Sequence, residues 1–165
     1  MNAALRLSWY KFKHHYMDFV KVLLGIVAFE GLILYIQDKG FLKDFETTRM
    51  TLFLLLFSTS LLIVVQNSIY ISKERSVLNR DFFSGLSRSA FALASMGIHA
   101  FFAVLETIVF ILSYSVFSKF FDKEFPDAGH IFGSYRWEVG ITVLLVFLAS
   151  HFIALFISAL VGKSE

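Results

Sequence analysis

Four ionisable side chains interrupt the apolar runs of this chain: Glu30, His99, Glu106 and His151. A charged side chain inside a membrane-spanning helix costs about 2.5–3.5 kcal/mol on insertion scales, so each must face protein or water, be paired, or be protonated, and a functional role is the default hypothesis. His99 and Glu106 are seven residues apart and share one helix face, with Phe102 and Ala103 between them. Such a pair inside a helix bundle can relay protons, or it can make a polar contact to a neighbouring helix, for which His151 is the candidate. Glu30 stands close to the end of its run, where a structural place near the outer interface is as good a reading as a functional one. An intramembrane enzyme would have to draw on these same four residues and ranks last. His14 and His15 are adjacent and so point apart on a helix, whereas metal-ligand pairs favour spacings of three or four. The "GKS" at Gly162, Lys163 and Ser164 lacks the glycine that a phosphate-binding loop needs five positions before Gly162, where Ile157 stands. With no cysteine there is no thiolate chemistry. The expectation is a chain with no catalytic residues, no metal and no nucleotide site of its own.

The elements that must position these residues follow from composition. Of 165 residues, 57% are hydrophobic, 18% aromatic and only 17% charged, and the mean hydropathy is +0.70. Soluble chains average about 45–50% apolar and about 25% charged residues, so this is an all-α integral membrane protein. A spanning helix needs roughly 20 apolar residues, and four runs approach or exceed that length: 20–36, 50–65, 90–117 and 139–161. The first two are short and draw on flanking residues; the third is long enough to tilt. The one proline, Pro126, falls between the third and fourth runs and leaves the spans unkinked. The basic start, 1–19, lacks the cleavage pattern of a signal peptide and reads as a retained amphipathic helix. Ser150, Ala154 and Ser158 make a small-residue stripe on the fourth run, and Ala90 with Ala94 begins another on the third. The net charge of +2 and the absence of a basic groove rule against nucleic acid; the partner is lipid. Arg6, Lys11, Lys13, Lys21, Lys73, Arg75, Arg80, Arg88 and Lys163 fall on one side against Lys39, Lys43, Arg49, Lys119, Lys123 and Arg136 on the other, nine against six. This puts both termini and residues 67–88 in the cytoplasm.

That cytoplasmic stretch, "NSIYISKERSVLNRDFFSGLSRSAFALA", concentrates charge between two apolar runs. Ile71, Leu78 and Phe82, with Val77 and Phe83 alongside, oppose Lys73, Glu74, Arg80 and Asp81, which is the pattern of an amphipathic helix that Gly85 is suited to end. Pattern alone equally describes a solvated surface helix.

The residues Asn67, Ser68, Ile69, Lys73, Glu74, Arg75, Val77, Arg80 and Asp81 spell "NSIxxxxKERxVxxRD", which resembles the segment after the second span of type-two ATP-binding-cassette exporter permeases, the G-subfamily-like branch and its bacterial relatives, where the form is close to "KERxIxxRE". Further likeness lies in the basic start, similar to the family's connecting helix with Asp18 but without its Arg partner, in Leu86, Phe91 and Leu93, and in "LFISALVGKSE", similar to the fourth-span ending "LLISALxxxxE". Ser95 departs from the pattern, standing where a lysine is common. The resemblance implies that 67–88 is a coupling helix whose Lys73, Glu74, Arg75, Arg80 and Asp81 contact a separate ATPase chain, with ATP and Mg bound there and no cofactor here. It further implies the first four of six spans, completed by another permease chain or by the missing spans, a bacterial inner-membrane location, and ATP-driven transport of a lipid-like or amphipathic substrate. The alternative is a non-transporting small structural or regulatory subunit of a larger membrane complex.

Overall fold

The computed structural model describes residues 2–37, 45–68, 78, 80, 82–83, 85, 87–123, 129, 131 and 133–160, without the side chains of 2–15. They form four long helices, α1 (Asn2–Ile36), α2 (Phe45–Asn67), α3 (Arg88–Phe120) and α4 (Tyr135–Leu160), with no strand among the described residues. Each is long and apolar enough to cross a membrane, α1 through its part Tyr16–Ile36. The all-α membrane architecture expected from composition is the one the chain adopts.

The span that looked short in sequence is completed by its flanks. In α2 the helix begins at Phe45, with Glu46 placed in the first turn against the positive end of the helix dipole, and its 23 residues reach about 34 Å at roughly 1.5 Å each, against a hydrocarbon core of about 30 Å. The basic start is not a separate element. It continues into the first span as one helix of 35 residues, about 52 Å long, so that part of α1 must project beyond the bilayer.

Each helix packs on two neighbours, in the ring order α1, α2, α4, α3 and back to α1. The common core joins Val22 and Ile26 of α1, Ile63 of α2, Ala103 and Phe110 of α3 and Val143 and Phe147 of α4. Small residues set the spacing. A methyl group added at Gly31 would meet the Phe117 ring at 3.1 Å, and one at Gly140 would meet Ile111 at 3.0 Å. Ser150, Ala154 and Ser158 are all buried in α4, and Ala94 is buried in α3. Large apolar side chains such as Leu24, Phe53, Leu112 and Phe156 point outward, as lipid requires.

A polar lock ties α1 to α3 at their C-terminal ends. After α3, Asp122 takes a left-handed conformation (φ 54°), and the Lys123 N–H donates back to the Ser118 carbonyl at 2.8 Å. This turn has the hydrogen-bond pattern of a Schellman cap and sends the Lys123 side chain into the protein. Its ammonium, only 6% exposed, donates to the carbonyls of Leu34 and Gln37, the orphan acceptors at the negative end of α1. The Tyr114 hydroxyl donates to the Lys123 carbonyl at 3.1 Å.

Replacing Lys123 by Ala leaves those carbonyls without their donor and is expected to lower stability by about 1–3 kcal/mol, whereas Lys119→Ala, at an exposed position, leaves it unchanged. Ala154→Leu overpacks the α4 contact and is expected to cost about 1–3 kcal/mol, against no loss for the lipid-facing Ile153→Leu. Thermal unfolding of the chain in lipid nanodiscs measures all four.

Candidate functional site

The inner face of α3 carries three polar residues at heptad spacing. His99, Glu106 and Ser113 recur every seven residues and so lie in one line along the helix, each about 10 Å from the next. His99 is 1% exposed and Glu106 and His151 are fully enclosed.

α4 supplies the partner to two of them. His151 lies between His99 and Glu106, its Nδ1 3.0 Å from Nδ1 of His99 and its Nε2 2.8 Å from Oε2 of Glu106. One imidazole thus bridges two turns of the facing helix. Two bare ring nitrogens at that separation would repel and two protonated ones would clash, so one hydrogen lies in each gap. Aromatic rings enclose the chain. Phe102 stands edge-on to His99 at 5.8 Å between ring centres, Phe19 of α1 packs on Phe102 at 4.8 Å, and Phe110 meets Phe147 edge-on at 5.8 Å on the other side. Oε1 of Glu106 has no hydrogen-bond partner among the described residues, and neither has Oγ of the buried Ser95, one turn before His99. The donor atoms face one another rather than a common centre. Accordingly, no group of three or more potential metal ligands among the described residues is arranged around one point.

Glu30 belongs to a different contact. It is fully buried between α1 and α3, and the Ser113 hydroxyl donates to its Oε2. Of the four intramembrane residues, the structure therefore joins three and sets the fourth one heptad further along α3. Ser113, Lys123 and Tyr114 were not singled out from the sequence. Ser113 had a signal there, since it extends the His99, Glu106 series by seven.

At the other end of α3, the charged stretch is described only in part. Leu78 is buried at 3% exposure, while Arg80 is exposed. Phe82 is half-buried and stands edge-on to Phe91 of α3 at 5.9 Å, with the Arg88 guanidinium 5.6 Å from its ring centre. Phe83, expected beside the apolar face, is 94% exposed. Gly85 (φ 101°) turns the chain in a conformation that favours glycine, and Ser87 caps α3 by accepting from the Ala90 N–H. Lys73, Glu74, Arg75 and Asp81 lie outside the described residues, as do the side chains of His14 and His15 and the "GKS" at 162–164.

A family model described as ABC-2 type transporter matches residues 6–165. The chain belongs to that family. No curated protein and no solved structure matches it. Membership makes the chain an integral membrane protein and a permease component of an ABC transporter. Permease domains of the ABC-2 type work with an ATP-binding-cassette ATPase and have no nucleotide-binding site of their own.

The buried chain of the ABC-2 protein yields a thermodynamic test. Replacing either His151 or Glu106 by Leu strands a polar group inside the bundle and is expected to cost about 1–3 kcal/mol. The double substitution removes both ends of the Nε2–Oε2 bond, leaving only His99 without its partner, and should cost less than the sum, with a coupling of at least about 0.5 kcal/mol. A double-mutant cycle of unfolding free energies in nanodiscs reads the difference.

Proposed function

We propose that this chain moves a lipid-like or otherwise amphipathic molecule across the membrane, driven by a separate ATPase chain that holds ATP and Mg and docks on Lys73, Glu74, Arg75, Arg80 and Asp81. The observation that carries this reading is the placement of the stretch around Arg80: exposed charge on one residue, a buried Leu78 two residues before it, and a direct ring contact from Phe82 to the first turn of α3. A surface helix held only by lipid needs no such anchor. A helix that must pass motion into the membrane does, because the displacement has to reach a spanning helix through packed atoms rather than through a flexible loop.

In this reading both termini are cytoplasmic and the membrane is a bacterial inner membrane. The substrate class has its own support. Between α2, α3 and α4, at the end of the bundle away from residue 80, lies a cavity of about 280 Å³ lined by Leu52, Leu55, Phe110, Tyr114, Tyr135 and Glu138 among others. Apolar walls with a few convergent polar groups suit a molecule that has an apolar body and a polar end.

Affinity purification from the native membrane in mild detergent should bring down a stoichiometric ATP-binding-cassette ATPase. Reversing charge with Glu74→Lys and Arg80→Glu together is expected to reduce that association at least tenfold and to abolish ATP-dependent transport, while Lys119→Glu at the opposite end changes neither. If only non-ATPase membrane proteins co-purify, the chain is a structural or regulatory subunit and the transport reading falls.

A further inference from the structure

The polar contact between α3 and α4 that runs through His151 is made of groups that exchange protons. Two neutral imidazoles and an ionised carboxylate bring two hydrogens, enough to fill both gaps: one passes from His99 Nδ1 to His151 Nδ1 and one from His151 Nε2 to Glu106 Oε2. That arrangement carries a net charge of minus one in a fully enclosed site. A third proton makes the unit neutral. It can sit on Nε2 of His99 at one end or on the carboxyl of Glu106 at the other, and both internal bonds remain intact because each shared hydrogen shifts to the opposite atom of its gap.

We propose that His99, His151 and Glu106 form a proton-binding chain inside the membrane, which takes up one proton at its His99 end and passes it to Glu106. The balance is simple. A third proton binds Nε2 of His99, the hydrogen on His99 Nδ1 moves to His151 Nδ1, and the hydrogen on His151 Nε2 moves to Glu106 Oε2; the reverse sequence resets the chain. Charge moves between positions seven residues apart on α3, about 10 Å along the helix, or a third of a hydrocarbon core about 30 Å thick. Oε1 of Glu106, which has no hydrogen-bond partner among the described residues, leaves the chain open at its far end.

The neighbouring charges do not replace this function. On α1, Asp18 and Lys21 pair with each other at 2.9 Å, and Glu30 receives Ser113 one heptad beyond Glu106. On α2, no titratable residue lies between Arg49 and Asn67. Proton binding at this site stands apart from the proposed ATPase contact and is tested without any partner.

The test uses the whole chain, labelled with ¹⁵N-histidine, in lipid nanodiscs, with nuclear magnetic resonance of the ring nitrogens from pH 5 to 10. The five histidines are 14, 15, 99, 130 and 151. His99 and His151 are expected to titrate with one shared midpoint, and Glu106→Gln, which can neither ionise nor accept the proton, should weaken proton binding at least tenfold, moving that midpoint one pH unit or more towards acid. The wild-type chain gives a second readout that needs no variant: a scalar coupling between the two Nδ1 nuclei across their shared hydrogen. Independent titration of the two histidines, an unchanged midpoint in Glu106→Gln, no titration in this range, or absence of the Nδ1–Nδ1 coupling would each overturn the proposal.

Discussion

A polar side chain in hydrocarbon has no water to turn to, so its partner must come from the protein. In this bundle that constraint falls unequally on the helices. Two hydroxyl groups of α2 satisfy themselves, Thr51 donating to the Thr47 carbonyl and Thr59 to the Leu55 carbonyl, each at 2.7 Å, whereas the buried Oγ of Ser60 has no hydrogen-bond partner among the described residues. α3 cannot do the same, because imidazole and carboxyl groups reach beyond their own backbone. Its inner line of His99, Glu106 and Ser113 is met by His151 from α4 and Glu30 from α1. Two interfaces, α1 with α3 and α3 with α4, are thus fixed by directional bonds with a single register. Where α2 meets the shared core, the contact is apolar, with Ile63 packed among Val22, Ile26, Val143 and Phe147.

The same distinction separates what sequence discloses from what it does not. Length and hydropathy gave four spans, because a spanning helix is a property of one segment. The period of the helix put His99 and Glu106 on one face for the same reason. That His151 bridges them depends on the register of α4 against α3, which no periodicity within either helix encodes. Glu30 illustrates the limit from the other side. Its own run could not show that α3 covers it and offers it the Ser113 hydroxyl. Lys123 was visible only as a loop charge. Its role follows from Asp122 holding a left-handed conformation where glycine is usual, a turn with no composition signature, and from a helix end some 86 residues away in sequence. Continuity of the basic start with the first span was likewise open, since a retained amphipathic helix and the first part of a longer rod share one pattern.

These contacts make α3 the member through which distant parts of the chain communicate. It has 33 residues, about 50 Å of helix, and it is touched by a functionally distinct group at each level. At its first turn Phe82 packs on Phe91; about two turns further in lies His99, within the shared-hydrogen chain; beyond Phe120 the chain turns back to cap α1 through Lys123. A helix is stiff along its axis, so displacement at the first turn is not absorbed before it reaches His99. The bonds there are 3.0 and 2.8 Å long, and an imidazole bridge between two turns tolerates little sliding of α3 past α4 before one of its gaps opens. Breaking either gap exposes an imidazole or a carboxyl group to an apolar surrounding unless a proton or a water arrives at the same moment. Movement of α3 against α4 and the protonation of the three-residue chain are therefore linked by geometry, and the link runs both ways: what favours one hydrogen count favours one register, and what forces the register changes the hydrogen count.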